Sequence, residues 1–149
     1  IKEYRFERMK ASQSRYNHCI YFSSNAFARK IEKLATECWK KIGLPPSHAY
    51  VLMTVLEEPG IQPGLVAEEL QLSPSTVTRL IEKLEEKGLV TRNFGVKATN
   101  IYPTPRAQEL QPQMKTCSEE FRMQYTSLLG VDESCHLIRS INQINDRLP

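Results

Sequence analysis

The chemistry of this chain is concentrated in one short stretch. Residues 73–79 read SPSTVTR, which places Ser73, Ser75, Thr76, Thr78 and Arg79 close together, with Lys83 following. Serine and threonine hydroxyls both donate and accept hydrogen bonds, and an arginine guanidinium presents a planar fork of donors. Such groups suit base edges and phosphate oxygens, with Arg79 able to grip a guanine through two parallel bonds. The acidic residues on the outward side come later, at Glu82 and Glu86.

Other candidate chemistries are sparse. The four cysteines, Cys19, Cys38, Cys117 and Cys135, form no CxxC pair, and no histidine stands at zinc-ligand spacing. His18, His48 and His136 are scattered, so no metal site and no cofactor is expected. A thiol enzyme would need a cysteine, an orienting histidine and a third group. His18 adjoins Cys19, but neighbours on a helix point about 100° apart and do not face each other. The chain is not read as an enzyme. The thiols are read as free, as in a reducing cytoplasm.

Composition narrows the class. The chain has 149 residues, 25% of them charged, and a net charge of +3. That length suits one domain, or a small domain with attached helices. No apolar run reaches transmembrane length, and IKEYRFERMK lacks the apolar core of a signal peptide. The expected location is cytoplasmic. The charge is uneven: residues 1–42 carry a net +6, 43–72 a net −4, 73–106 a net +3 and 107–149 a net −2. Two basic zones around an acidic one suggest local contact with a polyanion.

The elements that must position SPSTVTR can be read from periodicity and punctuation. Ile20, Phe27, Ile31, Leu34, Cys38 and Ile42 recur at helical spacing, predicting a helix from about Ser14 to Lys41 that Gly43 ends. Ser47 is expected to cap a second helix, which Pro59-Gly60 stops, and Pro63 to begin a short third one. Ser73 is then an N-cap with Pro74 at N1. Val77, Leu80, Ile81 and Leu84 make one apolar face, and Gly88 is a C′ residue. LVTRNF and ATNIYP are β-prone and predict a hairpin. Thr104 and Pro105 start a long helix in which Pro112 should introduce a kink, and Gly130 separates it from a last helix near 132–145.

Short helix, tight turn, capped helix and hairpin make a winged helix-turn-helix. The fold class is therefore mainly α with a small β-hairpin wing (α+β). Its second helix would enter a DNA major groove with its first turns at the bases. Ser75 and Arg79 face outward at the front, flanked by Thr76, Thr78 and Lys83. In the wing, Arg92 and Lys97 would reach the backbone or a minor groove, or remain solvated surface charges.

Residues 20–129 resemble the MarR (multiple-antibiotic-resistance regulator) family of winged-helix transcription factors. The resemblance is carried by IGLPPSHAYVLMTVLEEPGIQPGLVAEELQLSPSTVTRLIEKLEEKGLVTR and by IYPTPRAQEL. It implies a cytoplasmic homodimer on a pseudo-palindromic operator in double-stranded DNA, with no membrane partner. Residues 1–43 and 105–149 would form the helical dimerisation region, and 44–104 the DNA-binding domain. Such regulators usually repress, and release DNA on binding a small phenolic or lipophilic effector or on cysteine oxidation. An effector pocket would draw on Tyr21, Phe22, Trp39, His48 and Tyr50, each of which packing also explains. Cys19, with Arg15, His18 and Tyr21 nearby, is either a reactive thiol or a structural one. The sequence departs from the family pattern where the wing tip, NFGVKAT, lacks the usual Asp-x-Arg, and where Ala107 replaces a common glycine. The alternative to a DNA-binding repressor is a winged-helix protein-interaction module, because the fold alone does not fix function.

Overall fold

A computed structural model describes residues 8–149. Helices α1 (Ile20–Trp39), α2 (Pro46–Glu57), α3 (Pro63–Leu70) and α4 (Pro74–Glu86) come first. Strands β1 (Val90–Phe94) and β2 (Thr99–Pro103) follow, then α5 (Pro105–Leu129) and α6 (Val131–Asn145). The two strands pair antiparallel, with Val90 opposite Pro103 and Phe94 opposite Thr99.

Two helix starts follow local chemistry closely. Ser73 Oγ accepts the Thr76 amide at 3.3 Å, and Thr104 Oγ1 accepts the Ala107 amide at 3.3 Å. Each cap is followed by proline at N1, where the missing N–H leaves nothing unsatisfied. At α2 the expected cap fails. Pro45 occupies the N-cap with no side-chain bond and Pro46 takes N1, which moves Ser47 inside the first turn.

The first helix is also shorter than its periodicity suggests. Residues 14–18 form successive turns, closed by Asn17 N–H to Ser14 O and Cys19 N–H to Tyr16 O. Ser14 Oγ accepts the Tyr16 amide at 3.2 Å and Asn17 Nδ2 donates to Ser12 O at 2.7 Å. These side chains offer the backbone local partners that compete with a helix. Ile20 consequently falls outside the buried stripe and lies exposed. Helix α5 runs unbroken through Pro112.

One core ties these elements together. Val77, Leu80, Ile81 and Leu84 of α4 are buried with Val51, Leu52 and Val55 of α2. The same cluster takes in Trp39 of α1, Leu89, Val90 and Ile101 at the wing root, and Met114 and Cys117 of α5. The wing is anchored twice. Ile101 exchanges bonds with the α2–α3 turn, accepting from Gly60 N–H at 2.7 Å and donating to Ile61 O at 3.0 Å. Thr104 donates its amide to Leu89 O and its hydroxyl to Gly88 O at 2.7 Å, joining the end of α4 to the start of α5. Gly88 has φ +71°, the left-handed geometry expected past the end of α4.

The turn between α3 and α4 is strained as well as short. Gln71 adopts φ 53°, ψ 43°, a left-handed conformation that is unfavourable for a residue with a Cβ. Its amide Nε2 donates to Glu68 O at 2.8 Å, and Leu72 N–H donates to Ala67 O at 2.9 Å, so α3 ends in satisfied carbonyls.

Leu84→Ala removes a side chain with no exposure from the centre of this core. It should destabilise the protein by about 2–5 kcal/mol, read from denaturant unfolding at fixed protein concentration. A loss well under about 1 kcal/mol would contradict a packed role for the α4 stripe.

Candidate nucleic-acid interface

Helix α4 is two-sided. Its stripe is wholly inside, and the front of its other face is a set of hydroxyls. Ser73 Oγ lies 2.8 Å from Thr76 Oγ1 and 3.2 Å from Ser75 Oγ. Three hydroxyls thus share hydrogen bonds at the helix N-terminus, where free amides and the helix dipole favour an anion. Thr78 Oγ1 donates back to Pro74 O at 3.0 Å, which leaves its lone pairs facing outward.

Arg79 is exposed and has no ion pair among the described residues. Lys83, one turn further on, pairs with Glu86 at 3.3 Å on the exposed surface. An exposed pair of this kind holds its partners weakly. The front of the helix therefore offers a free guanidinium and small hydroxyls, and its rear carries neutralised charge.

The wing is organised differently from the sequence expectation. Arg92 donates from Nε and an Nη to the two carboxylate oxygens of Glu85, at 3.1 and 2.8 Å. This fork holds the Glu85 carboxyl below the ordinary carboxylate range. The Arg92 guanidinium also lies 5.6 Å from the Phe94 ring centroid. Arg92 is thus bound to α4, while Lys97 stands exposed at the tip. Glu85 was not among the residues the sequence singled out. The only signal for the pairing is their opposite charge on either side of Gly88.

The residues considered for an effector pocket stand in different settings. Trp39 is fully buried, with its ring 6.3 Å from that of Tyr50 in an edge-on contact. Its indole N–H has no partner among the described residues. Tyr21 is exposed, and Phe22 packs near Tyr16 at 6.3 Å. His48 is half-buried, and burial, followed by Lys87 and Lys83, holds its imidazole below the ordinary range. A cavity of about 570 Å³ instead lies between α2 and α5, lined by Met53, Leu56, Gln111, Met114 and Lys115 among others. Both methionines and the lysine were passed over because nothing local marks a groove formed by two distant helices.

Of the thiols, Cys19 is exposed at the N-cap of α1, and Cys135 is exposed on α6. Cys38 and Cys117 are buried, and burial, then the Glu120 carboxylate, raises both above the ordinary thiol range. No group of three or more potential metal ligands occurs among the described residues. No described helix is long and apolar enough to cross a membrane.

Comparison with known proteins agrees with this architecture. Residues 42–95 match the sequence model of the MarR family. The chain is 30% identical over 82 residues to the HTH-type transcriptional repressor MdtR of Bacillus subtilis (strain 168). That alignment covers 55% of this chain, and it spans only about half, 53%, of MdtR. Among solved structures, the repressor CouR bound to p-coumaroyl-CoA superposes with a TM-score of 0.81 at 17% identity, over 95% of this chain and 99% of that one. The MepR–DNA complex of S. aureus superposes with a TM-score of 0.75 at 17% identity, over 87% and 98%. These last two likenesses establish the fold. The sequence match, over the helix-turn-helix and the first strand of its wing, makes residues 42–95 similar to the MarR family, and the whole chain shares the winged-helix fold of these regulators.

Proposed function

We propose that this protein is a sequence-specific DNA-binding transcriptional repressor that acts as a homodimer in the cytoplasm, and not an enzyme. The observation that carries this reading is the front of α4. It presents an unpaired Arg79 and the linked hydroxyls of Ser73, Ser75 and Thr76, while the opposite face of the helix is fully buried. A rigid helix with a polar, cationic leading end fits a major groove. MdtR, a repressor by name, and MepR, solved with DNA, lend support. On this reading Ser73, Ser75, Thr76, Thr78, Arg79 and Lys83 meet DNA, and residues 44–104 are the DNA-binding unit.

The remaining residues, 1–43 and 105–149, would join two copies. Leu128, Leu129, Val131, Ile138 and Ile144 are exposed near the α5–α6 junction and along α6. Contiguous apolar surface of this kind marks an interface. The α2–α5 groove is the place for an effector. Its methionine and leucine walls suit an aromatic or acyl body, and Lys115 at its edge suits a carboxylate. CouR, with bound p-coumaroyl-CoA, offers a precedent for such ligands.

A protein-interaction module is the competing reading. It is favoured by one observation, the commitment of Arg92 to Glu85 instead of to a partner.

Selection from random duplexes should yield a two-fold site bound more weakly as salt rises. Arg79→Ala should weaken binding to that site by about 1–3 kcal/mol and relax preference at one base pair in each half. No selective duplex at any salt would favour the interaction module. Ile138→Arg should convert dimer to monomer in sedimentation experiments, and an unchanged mass would move the interface elsewhere. Lys115→Ala should weaken binding of p-coumarate about tenfold or more, since a charge-assisted bond is lost. Calorimetry would read this directly, and unaltered affinity would remove the groove as the effector site.

A further inference from the structure

We propose that the wing enters the minor groove as an apolar wedge, with Phe94 and Val96 pressing against base steps in place of a charged side chain reading the groove. The proposal rests on the DNA-binding reading above and specifies how that same interface is completed.

Four observations carry it. Phe94 is 73% exposed, and Val96 is fully exposed at the very tip. Exposed side chains of this size at the end of a hairpin have no role in holding the fold. Next, the arginine of the wing is withdrawn. Both Glu85 oxygens hold Arg92 at the flank of α4, leaving Lys97 as the cation at the tip.

The wedge is also preorganised. Arg92, fixed by Glu85, lies 5.6 Å from the Phe94 ring centroid, so the ring is oriented by a contact that begins on the recognition helix. Gly95 N–H donates to Ala98 O at 3.0 Å to close the tip. A Cβ on Gly95 would lie 2.9 Å from that oxygen, so the tight turn requires glycine.

Finally, the charge around the tip selects an anionic partner. No acidic side chain occurs between Gly88 and Gln108, whereas Arg92, Lys97 and Arg106 do. An apolar point beside Lys97, on a hairpin without an acidic side chain of its own and leaving α4 just past its last turn, fits stacked bases flanked by phosphates. Apolar side chains inserted in a minor groove partly unstack base steps and bend the duplex. Pyrimidine–purine steps yield most easily.

The mode of contact has a salt signature. A lysine on a phosphate releases counterions and contributes about 0.9 to the slope of log affinity against log salt, whereas an apolar wedge contributes nothing to it. The test uses the full chain and a duplex selected for wild-type binding, with 2-aminopurine replacing adenine at the flanking steps. The wild type should raise 2-aminopurine fluorescence by unstacking it. The double variant Phe94→Ser, Val96→Ser should bind about tenfold or more weakly, with the salt slope unchanged and the fluorescence rise lost. Phe94→Trp should retain the rise. Lys97→Ala should lower the slope by about 0.9 and keep the rise.

Wild-type affinity in the double variant, or a silent probe with the wild type, would overturn the wedge. So would a double variant whose only change is in self-association, which would assign the tip to a protein contact. Arg79→Ala separates the two readings. If it abolishes selective binding while the wing variants change nothing, only the wedge fails. If the wild type binds no duplex selectively, the DNA reading and the wedge fail together.

Discussion

The structure depends on the burial of one stripe of α4. Val77, Leu80, Ile81 and Leu84 are the point where α2, α3 and the wing root meet, and all four are inside. Removing this stripe from water fixes the rotation of the helix about its own axis. That rotation decides which residues are left outside, and so Ser75, Thr78 and Arg79 face solvent because their neighbours cannot. This outward polar surface is a by-product of packing. It needs no dedicated support beyond the Ser73 cap, which sets where the helix starts and gathers the hydroxyls there.

Polar groups at the edges of this core then position the wing. Thr104 satisfies the carbonyls of Gly88 and Leu89, which would otherwise be unpaired at the end of α4. Arg106 adds a bond from its guanidinium to Lys87 O at 2.9 Å. The hairpin is pinned at its root by these bonds and by Ile101, and along its length by Arg92 on Glu85. Stiffness is concentrated at the base, and the apolar residues stand at the free end.

Much of this was legible in the sequence, and the reasons differ by element. For α4, the cap, the proline at N1, the four-residue stripe and the closing glycine are local signals that agree with one another. The hairpin was readable from its β-prone runs, because each strand is short and the connection is tight. The start of α1 was not. The expected helix began near Ser14, ahead of the first periodic residue Ile20, while Ser14 and Asn17 drew the backbone into turns through side-chain bonds that no periodicity reports. Ser47 looked like a cap because its type is right, but two prolines beside it had already fixed the start of α2. At the site, the outward residues of α4 followed from its stripe. The Glu85–Arg92 pair and the α2–α5 groove did not, since both are set by contacts that local pattern does not encode. Residue type alone likewise does not say that Trp39 is buried while Tyr21 is exposed.

The single helix α5 begins at the bonds that close α4 and ends at the α6 junction, 25 residues later. At 1.5 Å per residue it is a rod of about 37 Å. A rod anchored to the recognition unit at one end and to the α6 side at the other acts as a lever. Tilting it by roughly five degrees moves its far end by about 3 Å, close to the rise of one base pair. Because Thr104 couples the rod to the last carbonyls of α4, the angle of α5 and the placement of α4 are tied at one joint.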